Sequence, residues 1–490
     1  MSQSAIRNLQ PAIGLNRYAT WWVIVVGVLF ALPSLDDGLV SDDYGLIEES
    51  RIATAQDVWR ALTEPGLNGL FRPVPRLLLG LNWAAGRLDP VGYHLINTVL
   101  HVGSAVLLYR ALVGLVPSPS VSLVAALLFA SHFVHVEPVY WVAARTELVA
   151  TFFVLAAVWG VLQPAGRWSV QTATFACFVA ALLSNEMAVT FPLVVAGVRV
   201  AQTPGPLVDR LRRGVQSCIP YVAVLVLYGL IRVQVGATLP GTSPVFGFSL
   251  HPGLIVRNVE QYALQMVVPV RTILDLRGPG MYGTVTDAVR SRPDETRVFI
   301  ALIVGAAVLL VVGKKALLLG GRPARLGLAF AGMTALPFLV MEGTGQRYLY
   351  LPSAGFVVAV AGVLHGIAGR MNHPQAGGRI LSWATGVVVV CSLGLAAEQD
   401  RWWERAGREC QTVIRRVAER SVALPPGVPL YVFHLPRRIH GAYVFHNGFD
   451  AAMRLSGLTH ARRVVDGDRA RERGERMPPE AQGYEYGVDR

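Results

Sequence analysis

Residues 21–32 read WWVIVVGVLFAL, and residues 39–50, shortly after, read LVSDDYGLIEES. The first stretch carries no charge and sits in an apolar run over 18–35, close to the ~20 residues a helix needs to cross a bilayer. The second sets Asp42 beside Asp43 just past that wall. A loop can carry such a pair for solubility alone. The placement of the other charges argues for a more specific role.

Working outward, further apolar runs fall at 93–115, 120–138, 146–163, 168–184, 187–201, 217–235, 298–313, 326–341, 350–369 and 381–397. They predict an all-α polytopic membrane protein with about eleven transmembrane helices. Composition agrees: 53% of the 490 residues are hydrophobic, and the mean hydropathy is +0.44. That is too apolar for an ordinary soluble enzyme. The first run lacks a small-residue cleavage site and is followed by many others, so it reads as a span and not as a cleavable signal. Cys177, Cys218, Cys391 and Cys410 show no CxxC spacing, which supports neither a disulfide framework nor a zinc site.

The formal charge of +12 invites a nucleic-acid reading, but its distribution follows topology instead. With Arg7 and Arg17 in the cytoplasm, alternate loops also fall inside. They carry Arg167, then Arg199, Arg210, Arg212 and Arg213, then Lys314, Lys315, Arg322 and Arg325, then Arg370 and Arg379; Asp209 is the sole acid among them. The other side receives Asp36, Asp37, Asp42, Asp43, Glu48, Glu49, Asp57, Glu64 and Asp89. This predicts a plasma (inner) membrane protein with a cytoplasmic N-terminus and no nucleic-acid partner.

Three parts follow: a membrane domain over 1–397 with long outer loops at 36–92 and 236–297, a small extracytoplasmic α/β domain over 398–466, and a disordered tail over 467–490. In the first loop AQDVWRALTEPG could lie along the interface. In the second, LIVRNVEQYALQMVV puts Leu254, Val259, Tyr262 and Met266 on one helical face. Such a helix either lies in the headgroup plane or packs on the protein. In the third part RWWERAGRECQTVIRRVAERS reads as a helix, VPLYVFHL and GAYVFHNG as strands, FDAAMRLSG as a helix ending at Gly457, and ARRVV as a further strand.

Ionisable groups at span edges are costly, so they are informative. In YHLINTVLH, His94, Asn97 and His101 share one helical face, with His94 nearer the outer surface. SHFVHVEPVYWVAARTE brings His132, His135 and Glu137 to the end of one span, and Arg145 and Glu147 to the start of the next. His-x-x-His with a nearby Glu is compatible with a metal, but no HExxH is present and hydrogen bonding is the commoner role. LLSNEMAVTFP supplies Asn185 and Glu186 at a tight turn; MEGTGQRYLYLPS supplies Glu342, Arg347 and Tyr348. The plain alternatives are an interfacial anchor for Arg347 and an aromatic belt for Tyr348 and Tyr350. Yet Asp42, Asp43, Arg72, His94, His135, Glu137, Arg145, Glu147, Glu186 and Arg347 all fall on one face by this topology. A shared polar cavity there accounts for them together.

The segments SDDYGLI, FRPVPRLLLGLNWAAGRLDPVGYHLINTVLH, SHFVHVEPVYWVAARTELVATFF, LLSNEMAVTFPLVV and GQRYLYLPSAGF, in this order, resemble the membrane half of GT-C glycosyltransferases. The likeness is nearest to tetratricopeptide-bearing transmembrane O-mannosyltransferases and their bacterial relatives. It is more distant to protein O-mannosyltransferases and aminoarabinose transferases. It covers roughly residues 15–370; no tetratricopeptide repeat follows. The resemblance implies a GT-C-like fold, a polyprenyl-phosphate-linked sugar donor, inverting transfer outside the cytoplasm, and a catalytic acid at the Asp42–Asp43 pair. The acceptor would be a hydroxyl or amine of a protein, glycan or lipid.

The residues support the same chemistry. Phosphate leaves as a stable anion, whereas an acceptor hydroxyl benefits from a base. Asp42 is the candidate base, and Asp43 would orient the acceptor or a partner residue. The departing phosphate calls for arginine, which grips it bidentately: Arg347 first, then Arg72 and Arg145, with Tyr348 donating a further hydrogen bond. Glu137 and Glu186 would hold these arginines or bind sugar hydroxyls; His94, His135 and Glu147 complete the candidate set. No cofactor is demanded. A divalent cation is compatible, but arginine does the same electrostatic work. A transporter or flippase of lipid-linked sugars is the rival reading; polar groups gathered at one face, not at the midplane, weigh against it.

Overall fold

The computed structural model describes residues 10–164, 168–238, 247–269, 296–371, 373–425, 427–457 and 464–487. Helices dominate. In order they are α1 (Gln10–Ala31), α2 (Asp42–Glu49), α3 (Ala55–Thr63), α4 (Pro73–Gly86), α5 (Pro90–Leu115), α6 (Pro119–Ser131), α7 (Val136–Tyr140), α8 (Arg145–Val161), α9 (Trp168–Leu182), α10 (Phe191–Gln202), α11 (Leu207–Gln234), α12 (Pro252–Val267), α13 (Thr296–Leu339), α14 (Tyr350–Ala368) and α15 (Pro374–Val422). Proline opens α4, α5, α6 and α12, where its missing N–H is one the helix could not pair anyway. The Asp89, Ser118 and His251 side chains cap three of these starts.

The protein is a multi-pass helical membrane protein. Among the described residues, six helical stretches are long and apolar enough to cross a bilayer: Tyr18–Asp36, Pro90–Leu115, Val142–Val161, Leu207–Gln234, Gln346–Ala368 and Gln375–Val422. A seventh forms if α6 and the helix after it, bent by 43°, count as one span. The expected runs at 168–184 and 187–201 become the short helices α9 and α10. Those at 298–313 and 326–341 fall in α13, which is interrupted at Gly321, where φ is +58°. Small residues let α13 and α14 touch: a Cβ on Gly327 would lie 2.4 Å from the Gly355 carbonyl oxygen, and one on Gly355 would lie 2.3 Å from that of Gly327. This contact fixes α14 and hence Arg347 just before it.

The long loop 36–92 is mostly helical. A capping box between Thr54 and Asp57 starts α3. Much of the loop at 236–297 lies outside the described residues. Within it, α12 buries Asn258, Gln261, Tyr262, Gln265 and Met266, and leaves Val259 exposed. Asn258 donates to the carbonyls of Leu339 and Met341. The helix therefore packs on the protein, and its inner face is more polar than the predicted one.

Beyond the spans, α15 runs on for 49 residues without a break at 397–398. At 1.5 Å per residue it is about 74 Å long, so one rod joins the membrane domain to the C-terminal module. That module holds β1 (Leu430–Phe433), β2 (Arg438–Ile439), β3 (Ala442–Tyr443), α16 (Phe449–Leu455), β4 (Val464–Asp466), α17 (Gly467–Glu472) and β5 (Gln482–Glu485). A parallel sheet has the order β4-β1-β5. Two expectations differ. The tail from 467 is not disordered over its described part: α17 and the edge strand β5 lie there, and Tyr486 Oη donates to Glu409 on α15. GAYVFHNG is a strand only at Ala442–Tyr443; beyond it the Val444 carbonyl and the Asn447 N–H turn to Ser41 of the 36–92 loop.

Gly407 on α15 faces Gly38 so closely that a Cβ there would lie 2.6 Å from the Gly38 nitrogen and 2.7 Å from its Cα. Backbone cannot yield as a side chain would. Gly407→Val is therefore expected to cost about 1–3 kcal/mol as overpacking, read as a lower melting temperature in detergent. An unchanged temperature would mean that rod and loop do not pack this tightly.

Candidate active site

The acidic pair divides its labour. Asp43 is buried, and both its oxygens accept from backbone amides: Oδ2 from Val40 at 2.8 Å and Oδ1 from Ala143 at 2.7 Å. It pins the 36–92 loop to the turn before the fourth expected span. Asp43 therefore does not line the cavity, which leaves, of its two expected roles, the orienting of a partner residue and not of the acceptor. Its role is to fix the turn that aims its neighbour. At that turn Ser41 takes φ +47° and ψ −120°, a strained conformation for a serine.

Asp42 opens α2 and lines a cavity of about 930 Å³. Burial lifts its carboxyl above the ordinary range, against the pull of the Asn447 hydrogen bond and the charges of Arg347 and Arg469. A raised carboxyl is a stronger base, once ionised, than an ordinary carboxylate. Arg72, Arg145, Glu147, Glu186, Arg347 and Tyr348, all predicted, line the same cavity.

Each arginine is held differently. Arg347 Nη1 meets Glu137 Oε1 at 2.6 Å, and its Nη2 donates to Tyr348 Oη at 3.0 Å. The guanidinium lies over the rings of Trp141 and Tyr348. The second oxygen of Glu137 accepts the Gln346 amide at 2.9 Å. Glu137 is thus a brace behind Arg347, as the sequence suggested, and not a cavity wall. Glu186 bridges two arginines: Arg72 at 2.7 Å and Arg232 at 2.8 Å. Arg145 is fully buried and donates to neutral oxygens on Asn97, Asn82 and Tyr93, at 2.8, 2.7 and 2.7 Å. Its charge meets no carboxylate in those bonds and remains at the cavity edge. Glu147 accepts from Thr146 Oγ1 at 2.6 Å.

Besides Asp43 and Glu137, two more predicted residues stay away. His94 is buried on α5 and does not line the cavity. His135 bonds Ser353 Oγ at 2.7 Å and packs edge-on against Phe129 and Tyr350, so it serves the helix packing. Among the described residues no three His, Cys, Asp or Glu groups are placed to hold a metal ion.

Residues that sequence reasoning passed over also line the cavity. Arg232 sits near the end of an apolar span, and an ionisable group there was signal enough. His446, Asn447 and Arg469 come from the C-terminal module; nothing local in the sequence ties them to Asp42. Phe248, Pro337, Phe338 and Met341 add an apolar part to the same lining.

Glu186 carries a pH prediction. Burial pushes its carboxyl up, but Arg72 and Arg232 outweigh burial and hold it down at about 2. A folded pKa below the unfolded value of about 4.3 stabilises the fold above that value. The contribution fades as pH falls from there through about 2. Glu186→Gln is expected to flatten the fall in melting temperature over that acid range. An unaltered slope would remove the bridge from the acid response.

No family model matches the chain. It is 25% identical over 431 residues to the protein O-mannosyl-transferase TMTC3 of Mus musculus, a match covering 78% of this chain and 46% of that protein. The Homo sapiens protein of the same name gives the same identity and coverage. Protein O-mannosyl-transferase Tmtc1 of Drosophila melanogaster is 32% identical over 171 residues, covering 32% of this chain and 20% of that protein. The long matches thus span about half the length (46%) of the curated relatives. Among solved structures, ArnT from Cupriavidus metallidurans bound to undecaprenyl phosphate superposes with a TM-score of 0.47 at 14% identity, over 96% of this chain and 93% of that one. Arabinofuranosyltransferase AftD from Mycobacteria does so with a TM-score of 0.44 at 12% identity, over 91% and 32%.

Proposed function

We propose that this chain is a GT-C glycosyltransferase that moves a monosaccharide from a polyprenyl-phosphate carrier to a hydroxyl or amine of a protein, glycan or lipid acceptor. Transfer is inverting and takes place at the extracytoplasmic face of the plasma membrane. The N-terminus lies in the cytoplasm, and the cavity and C-terminal module lie outside. The observation that carries this reading is the cavity itself: Asp42 on one side, Arg347, Arg72, Arg145 and Arg232 around it, and an apolar wall beside the arginines. A lipid phosphate needs that combination of cations and grease. The sequence likeness to proteins named O-mannosyl-transferases supports the reaction class.

In the reaction, Asp42 takes the acceptor proton as the new bond forms to the anomeric carbon. The bond from that carbon to the phosphate oxygen breaks on the opposite face, and the phosphate leaves with the electron pair. Arginines stabilise the departing charge in a site with little water. Arg347 and Tyr348 are the nearest candidates to touch it. Arg72 and Arg232, neutralised in part by Glu186, set the field behind.

The test uses purified full-length protein in nanodiscs with radiolabelled polyprenyl-phosphate sugars, mannose first. Membrane extracts of a deletion strain supply the acceptor. Label moved to an acceptor with inverted anomeric configuration supports the reading. Label carried across sealed vesicles without transfer supports the flippase instead.

A further inference from the structure

We propose that Asn447 is a positioning residue for Asp42, so that the C-terminal module is part of the catalytic centre. This rests on the sugar-transfer reading for its kinetic arm only.

The geometry is specific. Arg469, on α17, donates to the Asn447 side-chain oxygen at 2.5 Å and also to the His446 carbonyl. An arginine can only donate, so the amide oxygen is the group it meets. That leaves the amide N–H free to donate into the cavity that Asp42 and Asn447 both line, where a donor favours the ionised Asp42 carboxylate. The Asn447 backbone N–H donates to Ser41 Oγ at 3.1 Å, and the Ser41 N–H donates to the Val444 carbonyl at 2.7 Å. Gly448 presses on the same spot: its φ is +76°, and a Cβ there would lie 2.0 Å from the Ser41 carbonyl oxygen. Farther along α2, Arg454 clamps Glu48 with two bonds of 2.8 and 2.7 Å. The module therefore meets the acid-bearing turn through its backbone, and sets one amide side chain in the cavity with the carboxylate.

A carboxylate has a rotation to lose. Donation from the Asn447 amide to one oxygen leaves the other in a fixed direction for the acceptor proton. The charged groups around Asp42 are Asp43 on its own helix, Arg347 from the segment before α14, and Arg469 from α17. Arg145, Glu147 and His446 line the same cavity. None of them duplicates the neutral donor that Asn447 supplies.

The test is a series of full-length variants: Asn447→Ala, Asn447→Ser and Asn447→Asp. Asn447→Ala should lower kcat about 10–100-fold, the range of a hydrogen bond to a charged group, with the donor KM nearly unchanged. The acid limb of its pH–rate profile should move to higher pH, because the bond lost favours the charged carboxylate. Asn447→Ser, which keeps a donor, should recover part of the rate. Asn447→Asp keeps the shape but not the donor and should fall below alanine. A second readout does not need turnover: carbodiimide labelling of protonated Asp42, followed by mass spectrometry against pH. Its midpoint should rise in Asn447→Ala even if sugar transfer is never detected. An Asp variant at or above the alanine rate, or an unmoved labelling midpoint in a variant that melts like the parent, overturns the proposal. Failure of the wild type to transfer any sugar overturns the function instead, and leaves the labelling result to judge this inference.

Discussion

Asp42→Asn is expected to lower kcat by about 10²–10⁴, the usual contribution of a general base. Asparagine matches the shape and can still meet its neighbours, but it cannot take a proton. The cluster of Arg72, Arg145, Arg232 and Arg347 is untouched, so polyprenyl-phosphate should bind the variant as it binds the parent. Initial rates with labelled donor and a thermal-shift titration with the lipid phosphate separate the two effects. pH sharpens the result. Burial lifts Asp42 above the ordinary carboxylate range, and the base works only when ionised. The parent should therefore lose activity as pH falls through that raised value, and residual activity in the variant should lack this limb. Full transfer by Asp42→Asn would take the base role away from this residue.

How much of this was written in the sequence differs by level. The helical membrane class was legible because apolar length is a one-dimensional quantity. The convergence of Asp42, Arg72, Arg145, Glu147, Glu186 and Arg347 on one face was legible for a related reason: charge at span ends is expensive and is seldom placed there idly. The brace role of Glu137 and Glu186 also followed, since a carboxylate is the usual partner of a buried arginine, although Arg145 is held by neutral oxygens instead. The split between Asp42 and Asp43 did not follow. Adjacent residues look alike in sequence, and only the backbone amides of Val40 and Ala143 distinguish them. His135 misled because histidine at a span end serves packing and chemistry with the same letters. Asn447 was out of reach: it meets Ser41 across 406 positions, and its segment GAYVFHNG reads as a strand until the 36–92 loop is there to bind it.

Glu137→Ala should be the most destabilising single change at the site. Glu137 and Arg347 are both buried, 2.6 Å apart, and the second glutamate oxygen holds the Gln346 amide. Removing the acid leaves a guanidinium in a dry place with a tyrosine hydroxyl and two aromatic faces for company. Breaking one partner of such a pair costs about 3–5 kcal/mol, far more than the pair contributes net. Thermal unfolding in nanodiscs should report it. Two controls separate charge from packing. In Glu137→Gln/Arg347→Gln no unpaired charge remains, so most of the stability should return while transfer stays lost. Added polyprenyl-phosphate should raise the melting temperature of Glu137→Ala more than that of the parent, since the lipid phosphate supplies the missing negative charge. Equal stabilisation of both would mean that Arg347 does not face the phosphate, and the donor side of the mechanism would have to be rebuilt around Arg72 and Arg232.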